Sequence, residues 1–169
     1  MRLIVLATCC AAAAAILFVV FASPAAFRPE AGPENTTGSF NQTAMLERGD
    51  VEMGFNQMAI HHHFVATPTG GEIMIMSTNM SDTRTISEIR SHMRDIQYEF
   101  SQGNFTRPFY IHAQQVPGTG VMEAKKDLIR YSIREIDGGS VLVLETNDTQ
   151  LLGAIQQFMQ FQSSQHMGH

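Results

Sequence analysis

The histidines are the residues of this 169-residue chain best equipped for chemistry, and there are seven. Three stand in a row inside the apolar stretch AIHHHFVA, as His61, His62 and His63, and the others are His92, His112, His166 and His169. Imidazole changes charge near neutrality and is a common protein ligand for copper and zinc. The bland alternative for each ring is an ordinary hydrogen-bonded or solvated side chain. Catalytic signatures are missing: there is no HExxH, no G-x-S-x-G, no paired-carboxylate signature and no phosphate-binding glycine loop. Asp95 and Glu99 share a predicted helix face near His92, as groups that orient a ligand would. Copper leads as the cofactor, zinc is the alternative, and haem ranks behind both because CxxCH is absent.

Methionine points the same way. The chain has eleven, with Met74 and Met76 two apart in a strand-like run and Met93 beside His92. Thioethers favour Cu(I), although a methionine-rich sheet is more often adaptable core than a cofactor site. His166-Met167-Gly168-His169 adds two imidazoles and a thioether at the chain end, where solvated side chains are the simpler reading.

The elements that must position these groups come in a repeated pattern. Residues 61–93 align with 129–159, matching Gly70-Gly71 to Gly138-Gly139 and EIMIMSTN to SVLVLETN. Each copy reads as strand, Gly-Gly turn, strand and helix, with Asp82 or Asp148 as the helix N-cap. Ile86, Ile89, Met93, Ile96 and Phe100 make an apolar stripe on the first helix. Leu152, Ile155, Phe158 or Met159, and Phe161 or Gln162 make a looser one on the second. The expected fold is α+β: a duplicated ββα unit (61–100 and 129–166) within a domain spanning 50–169, forming a four-stranded antiparallel sheet with both helices on one face. The intervening 101–127 reads as an ordered excursion with a short strand at Phe109-Tyr110-Ile111-His112.

This alignment assigns faces. His61 and His63 fall on Ile129 and Tyr131 and are expected in the core, His62 falls on Arg130 and points outward, and His92 falls on Phe158. A buried polar group without a partner costs about 1–3 kcal/mol, which an ion shared by His63, His92 and His112 would offset.

Location follows from the N-terminus. Leu3 to Ala22 are uncharged and Arg2 precedes them, and the run is long enough to span hydrocarbon. Residues 1–26 therefore read as a signal peptide or an N-terminal membrane anchor, and 27–49 as a flexible tether. The domain is expected on the outer face of the cytoplasmic membrane, anchored or secreted. Both cysteines, Cys9 and Cys10, lie in the hydrophobic run, which removes disulfides and thiolate ligands from the exported part. Five of six asparagines, Asn35, Asn41, Asn79, Asn104 and Asn147, begin N-x-S/T triplets, so the chain is a candidate glycoprotein, although such residues also crowd in turns. A net charge of −5 without a basic cluster beyond Lys125-Lys126 disfavours nucleic acid as a partner.

At HHHFVATPTGG, EIRSHMRDI, FSQGNFTRPFYIHAQQVPG and FMQFQSSQH the chain resembles a family of small prokaryotic proteins. That family's features are a His-His-Phe strand, a helix His, an Ile-His before Pro-Gly, and a Phe-Gln…His helix end. They fall on His62, His63, Phe64, His92, His112, Phe161, Gln162 and His166. The resemblance implies no particular activity, but it adds His62 and His166 to the candidate metal ligands His63, His92 and His112. Three functions are therefore expected to compete. The first is an exported, membrane-tethered metal-binding protein, copper above all, acting as chaperone, buffer or sensor. The others are a structural or interaction module docking on a membrane-protein partner, and a histidine–metal enzyme of unspecified reaction.

Overall fold

The computed structural model describes residues 41–166. The hydrophobic segment 1–26, residues 27–40 of the tether, Asn35 and the terminal Met167-Gly168-His169 lie outside the described residues. Among the described residues no helix is long and apolar enough to cross a membrane.

Two hairpins make the sheet. Strands β1 (Ile60–Thr67) and β2 (Gly70–Ser77) form the first, and β3 (Arg130–Ile136) and β4 (Gly139–Glu145) the second. All pairings are antiparallel, in the order β1-β2-β4-β3. Helix α2 (Thr83–Ser101) follows the first hairpin and α5 (Thr149–Gln165) the second, so the duplicated ββα fold is the architecture observed. Each helix starts at its aspartate: Asp82 accepts from the Thr85 amide at 3.0 Å and Asp148 from the Leu151 amide at 2.9 Å. The helices are exchanged between copies. Helix α5 packs on β1 and β2, and α2 packs chiefly on β4 and β3. Ile73, Ile75, Leu142 and Leu144 meet Ile89, Met93, Leu151, Ile155, Phe158 and Met159 in one core.

The register corrects the face assignment. Thr67 pairs with Gly70 and Ile136 with Gly139, so both turns hold two residues and Gly70 corresponds to Gly139, not to Gly138. The same correspondence appears where the Ser77 amide donates to the Gly138 carbonyl and the Thr146 amide to the Thr69 carbonyl, both at 2.9 Å. A slip of one residue exchanges the two faces of a strand. His62 therefore matches Tyr131 and faces the core with Ile60 and Phe64, while His61 and His63 are exposed on the other face. The expectation that His61 and His63 are inward is overturned. On α5 the buried stripe runs through Leu151 and Ala154, with Leu152 only half-buried.

Two other expectations are corrected. Residues 42–49 are no tether: Gln42–Met53 form helix α1, capped by Asn41 and closed by Gly54 in the left-handed conformation. Arg48 of α1 donates to the Ile111 carbonyl at 2.8 Å, holding the helix on the domain. Nor is Phe109–His112 a strand. It lies in helix α3 (Thr106–His112), which Asn104 opens by accepting from the Thr106 amide at 3.0 Å. Pro108 sits in the first turn, where the missing amide hydrogen leaves no bond unmade. A short helix α4 (Thr119–Ala124) leads on towards β3. Asn41, Asn79, Asn104 and Asn147 are all exposed.

Gly153 lies inside α5, and a Cβ built there meets nothing within 4 Å. Gly153→Ala is expected to stabilise the protein by about 0.5–1 kcal/mol, because alanine gives up less backbone freedom on entering a helix. Urea unfolding measures it, and a lowered midpoint would contradict the packing described for α5.

Candidate functional site

Three imidazoles arrive from three elements. His62 projects from the inner face of β1, His112 ends α3, and His166 caps the C-terminus of α5. The His62 and His166 ring centroids are 5.2 Å apart, and those of His112 and His166 are 5.4 Å apart. Phe64 lies 5.3 Å from His166 and Phe161 5.0 Å from His112, centroid to centroid, so aromatic rings flank the cluster. His112 and His166 are buried. The exchange of helices between hairpins is what brings α5, and with it His166, over β1.

Gln162 fixes one ring. His112 Nε2 and Gln162 Oε1 are 2.8 Å apart, so the ring nitrogen donates to the amide oxygen. That bond leaves the lone pair on Nδ1, which is buried and meets no hydrogen-bond partner. Burial lowers the His112 pKa, and Arg48 adds to this while the Gln162 bond opposes it. The ring is held in its neutral, ligand-competent form. Ala113, next in sequence, is left-handed at φ 52°, the one non-glycine residue so placed among the described residues.

The cluster borders a cavity of about 70 Å³. Its walls are almost wholly apolar and include Ile75, Ile96, Phe100, Phe158, Met53 and Met93. His92 lies in the same wall, edge-on to Phe55 at 5.7 Å between centroids. Burial, then the Arg107 guanidinium, pushes its pKa down to about 4, against the opposing pull of Asp95 and Glu99. Arg107 is gripped by Glu99 at 2.7 and 2.9 Å and donates to the Glu52 carbonyl at 2.7 Å, tying α3 to α2 and α1. Glu99 thus serves Arg107 before it serves His92.

Of the five sequence candidates, the structure brings together His62, His112 and His166, lines the same cavity with His92, and places His63 on the opposite face of the sheet. Among the described residues no group of three or more His, Cys, Asp or Glu side chains is placed so that it could hold a metal ion as it stands. The sequence reading gave Arg107 no role. It held Gln162 only as an alternative stripe position and within the Phe-Gln…His feature. The four-residue spacing of Gln162 and His166, which stacks them on one helix face, was the available signal. Comparison with family models, curated proteins and solved structures finds no match to this chain, so the resemblance through the His-His-Phe features stands on the sequence alone.

Proposed function

We propose that this chain is an exported metal-binding protein that holds one copper ion through His62, His112 and His166, as a chaperone, buffer or sensor. The supporting observation is that His166 lies against both His62 and His112, with His112 oriented by Gln162 so that a buried nitrogen lone pair has no other use. Imidazoles sharing one ion at metal–nitrogen distances near 2 Å have ring centroids roughly 5 Å apart, close to the spacing of His166 from each of the other two rings. Loading therefore requires the side chains to rearrange, because the three rings as they stand do not form a metal site. Copper is preferred over zinc because Met53 and Met93 put thioethers in the cavity wall, and soft donors favour Cu(I). A cavity of 70 Å³ accommodates an ion and a few water-sized groups, which argues against haem.

Metal titration of the full chain tests the proposal. One copper is expected at the buried cluster, with affinity there falling about 100-fold in His112→Ala, which removes a ligand, and about tenfold in Gln162→Leu, which removes a ligand-orienting partner. Copper bound equally well by both variants, or no uptake of copper or zinc by the wild type, would overturn it.

A further inference from the structure

The register builds a second set of donors on the opposite face of the sheet. His61 pairs directly with Met76, and His63 with Met74. Alternate residues share a face, and Ile60, His62, Phe64, Ile73 and Ile75 are the inward ones. Both imidazoles and both thioethers therefore project outward as a rectangle of four. His61 and His63 are exposed, and Met74 and Met76 are half-buried.

We propose that His61, His63, Met74 and Met76 form a surface site for Cu(I). Directly opposed Cβ atoms lie about 5 Å apart and next-but-one residues on a strand about 7 Å, within the convergent reach of two imidazoles and two three-bond thioether side chains. Thioether selects the soft monovalent ion, and two imidazoles supply the remaining donors. The sister hairpin shows that this face does not require such residues. The same positions there are Arg130, Ser132, Val143 and Glu145, and Arg130 and Glu145 form an ion pair. Core packing does not account for Met74 and Met76 either, because the core is filled from the other face by Ile73 and Ile75. This site shares no residue with the buried cluster and stands or falls independently of it.

The test is residue-resolved, because Cys9 and Cys10 of the full chain also take soft ions. Full chain labelled with ¹³C at the methionine methyls is titrated in detergent with Ag(I), a redox-inert stand-in for Cu(I). The Met74 and Met76 methyl signals are expected to shift together, along with the ring signals of His61 and His63. The Met74→Leu, Met76→Leu double variant, which conserves volume on a half-exposed face, is expected to weaken Cu(I) binding at this face about tenfold or more and to leave zinc uptake unchanged. Shifts confined to other methionines, or His61 and His63 signals that move identically in the double variant, would overturn the proposal.

Discussion

Acidification from pH 7 to pH 4 is expected to cost the metal-free fold about 3 kcal/mol through His92 alone. In the unfolded chain this ring titrates near the ordinary 6.5, while in the native wall it resists protonation until about 4. Between those values the unfolded state binds a proton that the native state refuses, so stability falls as pH falls, by about 1.4 kcal/mol per unit. Above 6.5 the contribution is complete, and below about 4 it has gone. His112 is shifted in the same direction by burial and steepens the loss. The capping carboxylates Asp82 and Asp148 are held below the usual aspartate value by the amides of Thr85 and Leu151 and, for Asp148, first by Lys125. Their contribution therefore disappears at lower pH than that of the histidines. Urea unfolding at half-unit pH steps measures the slope. His92→Leu should flatten it between 6.5 and 4, and an unchanged slope in that variant would show that His92 is not its source.

Much of this arrangement was legible as pattern. Gly-Gly, the paired aspartate caps and two apolar stripes point to two ββα units, because each feature reports a local backbone requirement. The faces of β1 were misread for an equally local reason. A Gly-Gly pair admits two alignments one residue apart, and only the turn that closes at Thr67 and Gly70 selects between them. Helices α1 and α3 escaped because their stability is tertiary. α1 has a weak apolar stripe and is held by Arg48 on Ile111, while α3 begins at an Asn104 turn and is pinned by Arg107. The imidazole cluster depended on a fact no local pattern carries, namely which hairpin each helix covers. Matching the helix caps sets His92 against Phe158, Ile96 against Gln162, and Phe100 against His166. Polar groups thus replace apolar ones at different levels of the two copies. The helix exchange then collects Gln162 and His166 beside His62, while His92 lines the same cavity outside the imidazole cluster.

Gly70→Ala and Gly139→Ala are each expected to cost about 3–4 kcal/mol, more than any other single change considered for this fold. A Cβ on Gly70 would stand 2.0 Å from the Leu144 carbonyl oxygen, and one on Gly139 would stand 2.0 Å from that of Ile75. Both obstacles are backbone atoms in the central β2–β4 ladder, so neither can be relieved by turning a side chain. The two residues lie at opposite ends of that ladder, far enough apart for their costs to add within about 0.5 kcal/mol. The double variant should therefore lose about 6–8 kcal/mol, enough to unfold a domain in the lower part of the ordinary range of about 5–15 kcal/mol. Gly54→Ala is the control. That residue is left-handed at φ 75° but a Cβ there meets nothing within 4 Å, so only the conformational cost of about 1 kcal/mol applies. Thermal unfolding of the three single variants ranks them, and a Gly70→Ala protein no weaker than Gly54→Ala would mean that β2 and β4 are not paired in this register. The register matters beyond stability: shifting it by one residue would turn His62 away from His166 and bring His61 and His63 to the core, taking ligands from both proposed copper sites.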